Sequence, residues 1–579
     1  MSRLRRRGGG RRRRARRAGD ALKARVEKIA ALQAKLDELE RQLKRMPAAD
    51  APAVAGQILE GQILEGGVLE TAEVIVPHLP GPSEATFAGV ARGSVLNVAG
   101  AVVSASVNLA VILIIARGLS RPDAGAVFGA TSLFVLVATA ARLGTDSTIV
   151  HVLASARAVA RPGEVRPYLR AALVPVIAVG VLAGTAVAAA GVHVLHVVTR
   201  GVDVAHGAAL IALVGAAIPV AAAYDVLTAA TRGLGRMRPT VVIERLVRPI
   251  LQLAFVLVVV LAGGGAFAVA CAWIAPYAVA AVAAGRAVLQ LVPEATAPRS
   301  RKVPIEFATF WRFTLPRALA GTIQVALQRL DILLVGALRG AAAAAVYTAA
   351  TRFVVVGQIA NQAIWYAVQP RLSMLVASRD LDRARRLYRV STAWVVALTW
   401  PLALAVLVAA PLILKAFGRG YHSGASTMIV MAAAVLFSSA CGLVDIVLIT
   451  VGRTSWNLWN TALAFVVNVG IDVPLIPRIG IVGAAIGWAA AIFVRNALGL
   501  IQVGRRFGFH PFGRAVALVE LGALACFAAF PGAAWLAFGR KPVALGATLC
   551  AGAALFAIQL WWLRKPLHLD RLALPRRAS

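Results

Sequence analysis

Charge and cysteine are what this chain of 579 residues has least of. Charged residues make up 15% of it, where a globular protein carries roughly 25%. Acids are scarcest: 26 Asp and Glu stand against 61 Lys and Arg, and 53 of those 61 are Arg. Four cysteines, Cys271, Cys441, Cys526 and Cys550, all lie in apolar stretches and form no C-x-x-C pair. That excludes a disulfide framework and a cysteine metal site. A Walker-A phosphate loop is absent, so no built-in ATPase is expected. No apolar run occurs in the first 90 or so residues, which is inconsistent with a cleavable signal peptide at the start of this sequence. No metal or other cofactor is expected.

What the chain has is apolar length. Hydrophobic residues reach 59% and the mean hydropathy is +0.76. From Phe87 onward, apolar windows near 93–116, 124–147, 168–192, 206–230, 239–262, 266–291, 308–337, 343–370, 390–414, 424–451, 456–476, 481–503, 515–538 and 542–563 follow one another. Each is long enough to cross roughly 30 Å of hydrocarbon. The expected fold is an all-α polytopic membrane protein with about 14 transmembrane helices. The connections after even-numbered spans, with the adjoining span ends, hold 26 basic residues, and those after odd-numbered spans hold 9. Basic loops stay in the cytoplasm, so both termini are expected there, in a cell membrane of bacterial or archaeal type. The outer loops are short and leave no room for an external catalytic domain, so an enzyme is not expected. Asp380-Leu-Asp382 has the form of a metal-binding D-x-D, but it sits among Arg379, Arg383, Arg385 and Arg386 and reads as a solvated loop.

The preface divides in three. Residues 1–19 form an Arg-rich tail, with ten Arg in the first 17 residues. Such dense like charge predicts disorder and affinity for anionic membrane lipids, with nucleic acid the less favoured partner. Across 20–46, Leu22, Val26, Ile29, Leu32, Leu36, Leu39 and Leu43 recur at a mean spacing of 3.5. That is the coiled-coil period and predicts self-association or docking on a protein partner; a solitary helix on the membrane surface is the other reading. Residues 47–86 form a proline-broken linker.

The spans contain an internal repeat. Gly265–Trp273 answers Gly480–Trp488 at an offset of 215, and Gly235-Arg236 answers Gly452-Arg453 at 217. Six helices per unit is an even number, so the halves are parallel repeats with a substrate site expected between them. The expected division is a six-helix bundle at 87–292, a cytoplasmic linker at 293–306 and a second bundle at 307–505. Two extra C-terminal helices at 506–564 and a basic tail at 565–579 complete it.

Certain strings resemble a known family. Arg329-Leu-Asp331-Ile-Leu-Leu-Val-Gly336 is followed by Val346-Tyr347, Ala350-Thr-Arg352 and Ala367-Val-Gln-Pro370-Arg-Leu-Ser373. Arg117-Gly-Leu119, Ala141-Arg-Leu-Gly144 and Leu475-Ile-Pro477 add to them. Together, over about 88–505, they resemble the polysaccharide (lipid-linked oligosaccharide) flippases of the multidrug/oligosaccharidyl-lipid/polysaccharide transporter superfamily. The resemblance implies translocation of a polyprenyl-diphosphate-linked saccharide from the inner to the outer leaflet by ion-gradient-driven alternating access. A lipid II flippase, a multidrug cation antiporter and a transport-dead scaffold are the alternatives.

Once Arg170, Arg245, Arg248, Arg286, Arg312, Arg317 and Arg495 are counted with the inner span ends, only Arg142, Arg329 and Arg352 are basic within the spans. Mid-membrane charge costs about 2.5–3.5 kcal/mol on the insertion scale, so such residues face a cavity or a partner. A diphosphate suits the bidentate guanidinium fork, which makes Arg352, Arg329 and Arg142 the candidate substrate ligands. Arg142 can alternatively pair with Asp146 one turn on. Arg329 and Asp331 point roughly 200° apart and cannot serve one partner. Asp331, Asp445 and Asp146 are the candidate ion-coupling acids, because a carboxyl group in an apolar cavity can exchange protons.

Overall fold

The computed structural model describes residues 84–158, 165–191, 204–292, 307–539, 542–564 and 567. The Arg-rich tail, the heptad segment, nearly all of the linker, the 293–306 connection and all of the basic C-terminal tail except Leu567 lie outside the described residues. Every apolar window of the sequence is helical, and the described residues contain no strand. Among the described residues, eleven helices are long and apolar enough to cross a membrane.

The first window lies in α1 (Glu84–Gly118). The second, expected as one helix, is broken into α2 (Arg121–Ala141) and α3 (Thr145–Ala158). Leu143 and Gly144 take φ of 54° and 70° there, a left-handed step that no α-helix accommodates. Then come α4 (Val165–Ala189) and α5 (Val204–Gly233). The fifth window is assembled from α6 (Met237–Thr240), a π-turn over Val241–Val247 and α7 (Arg248–Leu261). The sixth is α8 (Ala266–Leu291). The second series runs α9 (Phe307–Arg339), α10 (Ala341–Ala377) and α11 (Leu381–Lys415). Its fourth window is again broken, into α12 (Ala425–Ala440) and α13 (Val444–Thr450), by Gly442 at φ 71°. It closes with α14 (Thr454–Ile479) and α15 (Ile481–Phe507). The C-terminal pair is α16 (Arg514–Leu524) continued by a π-turn over Ala525–Ala529 and α17 (Phe530–Phe538), then α18 (Pro542–Trp562).

The two π-turns have one cause. Each is followed two residues later by a proline, Pro249 and Pro531. A proline ring clashes with the carbonyl four residues back, here Arg245 and Phe527, both inside the widened turn. Widening the turn relieves the clash without ending the helix. Asp380 caps α11: its carboxylate accepts from Arg383 N at 3.1 Å and pairs with the Arg383 side chain, while Asp382 pairs with Arg385. The D-x-D, expected as a solvated loop, is instead the start of a helix, with Asp380 as the cap and Asp382 in the first turn.

Large apolar side chains face outward on the late helices, including Leu536 at 92% and Val543 at 84% exposed. Water would penalise such a surface, and hydrocarbon accepts it. Inside, α2 lies against both α9 and α10. Near its start, a side chain at Gly125 would run into the backbone of Ala341. At its far end the backbone of Gly144 abuts that of Ala318, and Thr314 Oγ1 donates to Thr148 Oγ1 at 3.0 Å. The first six windows and the next six thus touch at both ends of α2, with a cavity between the contacts.

Candidate functional site

The cavity is about 40 Å³, room for a water or two. Its wall draws on α1, α2, α8, α9 and α10 and includes Asn108, Thr131, Ser132, Trp273, Arg329 and Arg352. Both series of helices therefore contribute. Arg352 is held back along its own helix: its Nε donates to Thr348 O at 3.1 Å and a terminal nitrogen to Thr351 Oγ1 at 3.2 Å. Arg329 makes no hydrogen bond or ion pair among the described residues, and neither arginine has a carboxylate within ion-pair distance. Two guanidiniums share one small cavity with no anion to balance them.

Arg142 behaves differently. It caps α2 at the break and pairs with Asp225 of α5 at 3.3 Å and with Asp146 at 3.7 Å. It is not among the residues lining the cavity. Asp445 is paired with Arg495 of α15, a residue that sequence reasoning counted with the basic span ends. Two of the three candidate coupling acids are thus engaged by arginine.

Asp331 is the exception, and it lies on the face of α9 opposite to Arg329, as their spacing requires. It is 3% exposed and accepts from Tyr347 Oη at 2.8 Å. It is also within hydrogen-bonding reach of Asp472 on α14, which is wholly buried. Asn468 Nδ2 donates to Asp472 Oδ2 at 3.1 Å. Oδ1 of Asp331, Oδ1 of Asp472 and Oδ1 of Asn468 are all sealed from solvent with no hydrogen-bond partner. Two carboxyl groups buried near each other, with no ion pair to a cation among the described residues, are costly to ionise together. The donor set is all oxygen and contains two acids. The described residues offer no group of three or more His, Cys, Asp and Glu that could hold a metal.

Asp472, Asn468 and Tyr347 did not stand out in the sequence. Asn468 and Asp472 are four apart and share a helix face, which was the available signal. What the sequence could not provide was the packing of α14 onto α9 that brings Asp472 to Asp331.

Comparison with known proteins bears on the fold. The MatE family model matches residues 316–473, the stretch that carries Arg329, Asp331, Arg352 and Asp472. No curated protein matches the chain. Among solved structures, the lipid II flippase MurJ in an inward closed conformation superposes with a TM-score of 0.63 at 10% identity, covering 82% of this chain and 99% of that one. An inward-facing multidrug resistance MATE family transporter of the MOP superfamily superposes at 0.55 with 15% identity, covering 70% and 95%. At these identities the likeness is one of fold. The chain is a polytopic all-α membrane protein with the fold of the MOP-superfamily transporters. The MatE match begins in α9 and ends in α14.

Proposed function

We propose that this protein is a flippase that moves a polyprenyl-diphosphate-linked saccharide from the inner to the outer leaflet by ion-driven alternating access. The observation that carries this reading is the pair Arg329 and Arg352, which line one cavity without a carboxylate partner. Isolated buried cations are costly, and an anionic headgroup offsets that cost. A cavity built for drug cations would present the opposite sign. In this reading Arg329 and Arg352 take the diphosphate in turn as the cavity opens to each side, and the Asp331–Asp472 pair takes up and releases the coupling proton or cation. Arg142 and its two acids hold the break between α2 and α3.

The test is lipid-linked-saccharide flipping in proteoliposomes, with efflux of a cationic dye run in parallel. Arg329→Ala and Arg352→Ala are expected to abolish flipping while expression holds, and Arg352→Lys to recover part of it, because an ammonium lacks the planar fork. Full flipping by the double Ala variant, or dye efflux that survives it and stops with Asp331→Asn, would overturn the headgroup assignment.

A further inference from the structure

A second group of unpartnered donors lies outside the cavity. Arg248 opens α7 directly after the π-turn. Its guanidinium stands over the Tyr277 ring, with Cζ 4.8 Å from the centroid, and one terminal nitrogen donates to Gln252 Oε1 at 3.3 Å. Its Nε is sealed from solvent and has no hydrogen-bond partner. The hydroxyl of Tyr224, a residue 2% exposed, is sealed and unpartnered too. The Tyr224 ring lies 5.8 Å from that of Tyr277. Two orphaned donors thus flank one aromatic ring.

The nearby acids do not account for them. Asp225 is taken by Arg142 and Glu244 by Arg232, at 3.3 and 3.4 Å. Neither is an ion-pair partner of Arg248. A buried donor left unmade costs about 1–3 kcal/mol, more when it is charged, so a hydroxyl and a guanidinium N–H on either side of one ring are suited to an anion's oxygens. On its other side Tyr277 packs against Trp273, with ring centroids 5.7 Å apart, and Trp273 lines the central cavity. Gln252, which holds Arg248, also donates to Trp273 O at 2.9 Å. An aromatic wall of two rings therefore connects the orphaned donors to the cavity of Arg329 and Arg352.

We propose that Arg248 and Tyr224 form a second anion site, a staging position that holds the diphosphate of the transported lipid before it passes Tyr277 and Trp273 into the central cavity. The site rests on the flippase reading for the identity of its ligand. Arg248 and the Arg329–Arg352 pair stand at the two ends of the Tyr277–Trp273 wall, so a dianion passing between them moves from one cationic position to another. Tyr277 and Trp273 then present no acid to repel it.

The experiment is equilibrium binding of radiolabelled geranyl diphosphate, a short soluble prenyl diphosphate, to the full-length protein in detergent. The wild type is expected to bind two equivalents. Arg248→Gln should lose one and keep the central one, and the Arg329→Ala, Arg352→Ala double variant should do the reverse. Arg248→Lys should restore the lost site with affinity reduced about tenfold. Tyr224→Phe is the decisive variant for a structural role. Removing an orphaned hydroxyl from a packed core leaves the protein as stable or more so, whereas here it should weaken the outer site several-fold with thermal stability unchanged. A single equivalent in the wild type, unaffected by Arg248→Gln and Tyr224→Phe, overturns the staging site while leaving the central one intact. Two equivalents that both survive the central double variant overturn the flippase reading instead. Inorganic pyrophosphate competing as well as geranyl diphosphate at the outer site assigns it to a free anion and overturns its lipid role.

Discussion

Arg142 shows how one side chain can hold a charge count inside a membrane. It neutralises two acids at once, Asp225 and Asp146, at a point where the backbone has left helical geometry. Removing it leaves two partly buried carboxylates close to each other. Arg142→Ala should therefore destabilise the protein by on the order of 1–3 kcal/mol, less than a fully buried pair because each member keeps some contact with solvent. The double variant Arg142→Ala, Asp225→Asn should recover much of that loss, read as thermal unfolding in detergent. Asp472 makes the opposite case. Its charge has no cation nearby, so Asp472→Asn should raise the unfolding temperature while removing dependence of transport on the ion gradient, the exchange of stability for function expected at a working site. A variant that is destabilised and still gradient-driven would contradict that. At this scale the sequence was partly legible. The opposed directions of Arg329 and Asp331 followed from helix geometry alone, and so did the reach of Arg142 to Asp146. The partners Asp225, Arg495 and Asp472 did not follow, because each sits on a helix brought close only by tertiary packing. Arg248 reads as a basic span end in the sequence, and only burial beside Tyr277 marks it out.

Among the elements, the interruptions carry the most information. Apolar windows locate helices well, since hydropathy over 20 residues averages out local detail. They do not register a single residue at positive φ, which is why the second and tenth windows each read as one helix and are two. Gly144 is the hinge of the first break. A side chain there would meet both an unfavourable φ of 70° and the backbone nitrogen of Ala318 at 2.5 Å. Gly144→Ala should cost about 1–2 kcal/mol from the backbone alone and should also part α2 from α9 at that end. Labelling of a cysteine at Ser132 by a small water-soluble maleimide is expected to rise in this variant. Unaltered labelling would mean that the contact at Gly144 does not seal the cavity. At Pro249 and Pro531 the proline's effect is a widened turn that keeps the helix running.

For the molecule as a whole, loop charge makes a claim that the helices alone do not. Reporter fusions after Ala160, Val303 and Asp380 should read cytoplasmic, and those after Ser120, Gly201 and Gly340 external, since basic connections are retained inside. One reversal would break the fourteen-span order. The all-α, many-span character was legible because each span must satisfy its own backbone in hydrocarbon, which leaves a strong local imprint. How the two series close on each other was not, because small residues such as Gly125 and Gly144 make that contact and carry no hydropathy signal.

The two unbalanced guanidiniums at the centre have a consequence for the direction of work. With a dianion between them, the charges cancel and the loaded carrier can turn over with little electrostatic resistance. Without it, like charges must be carried through a cavity of only about 40 Å³, where repulsion is less screened than in bulk water. The unloaded return, rather than the outward passage, is then the uphill stroke. An ion gradient acting through Asp331 and Asp472 would do its work by resetting an empty machine, and a surplus of cargo on the inner leaflet would drive the rest.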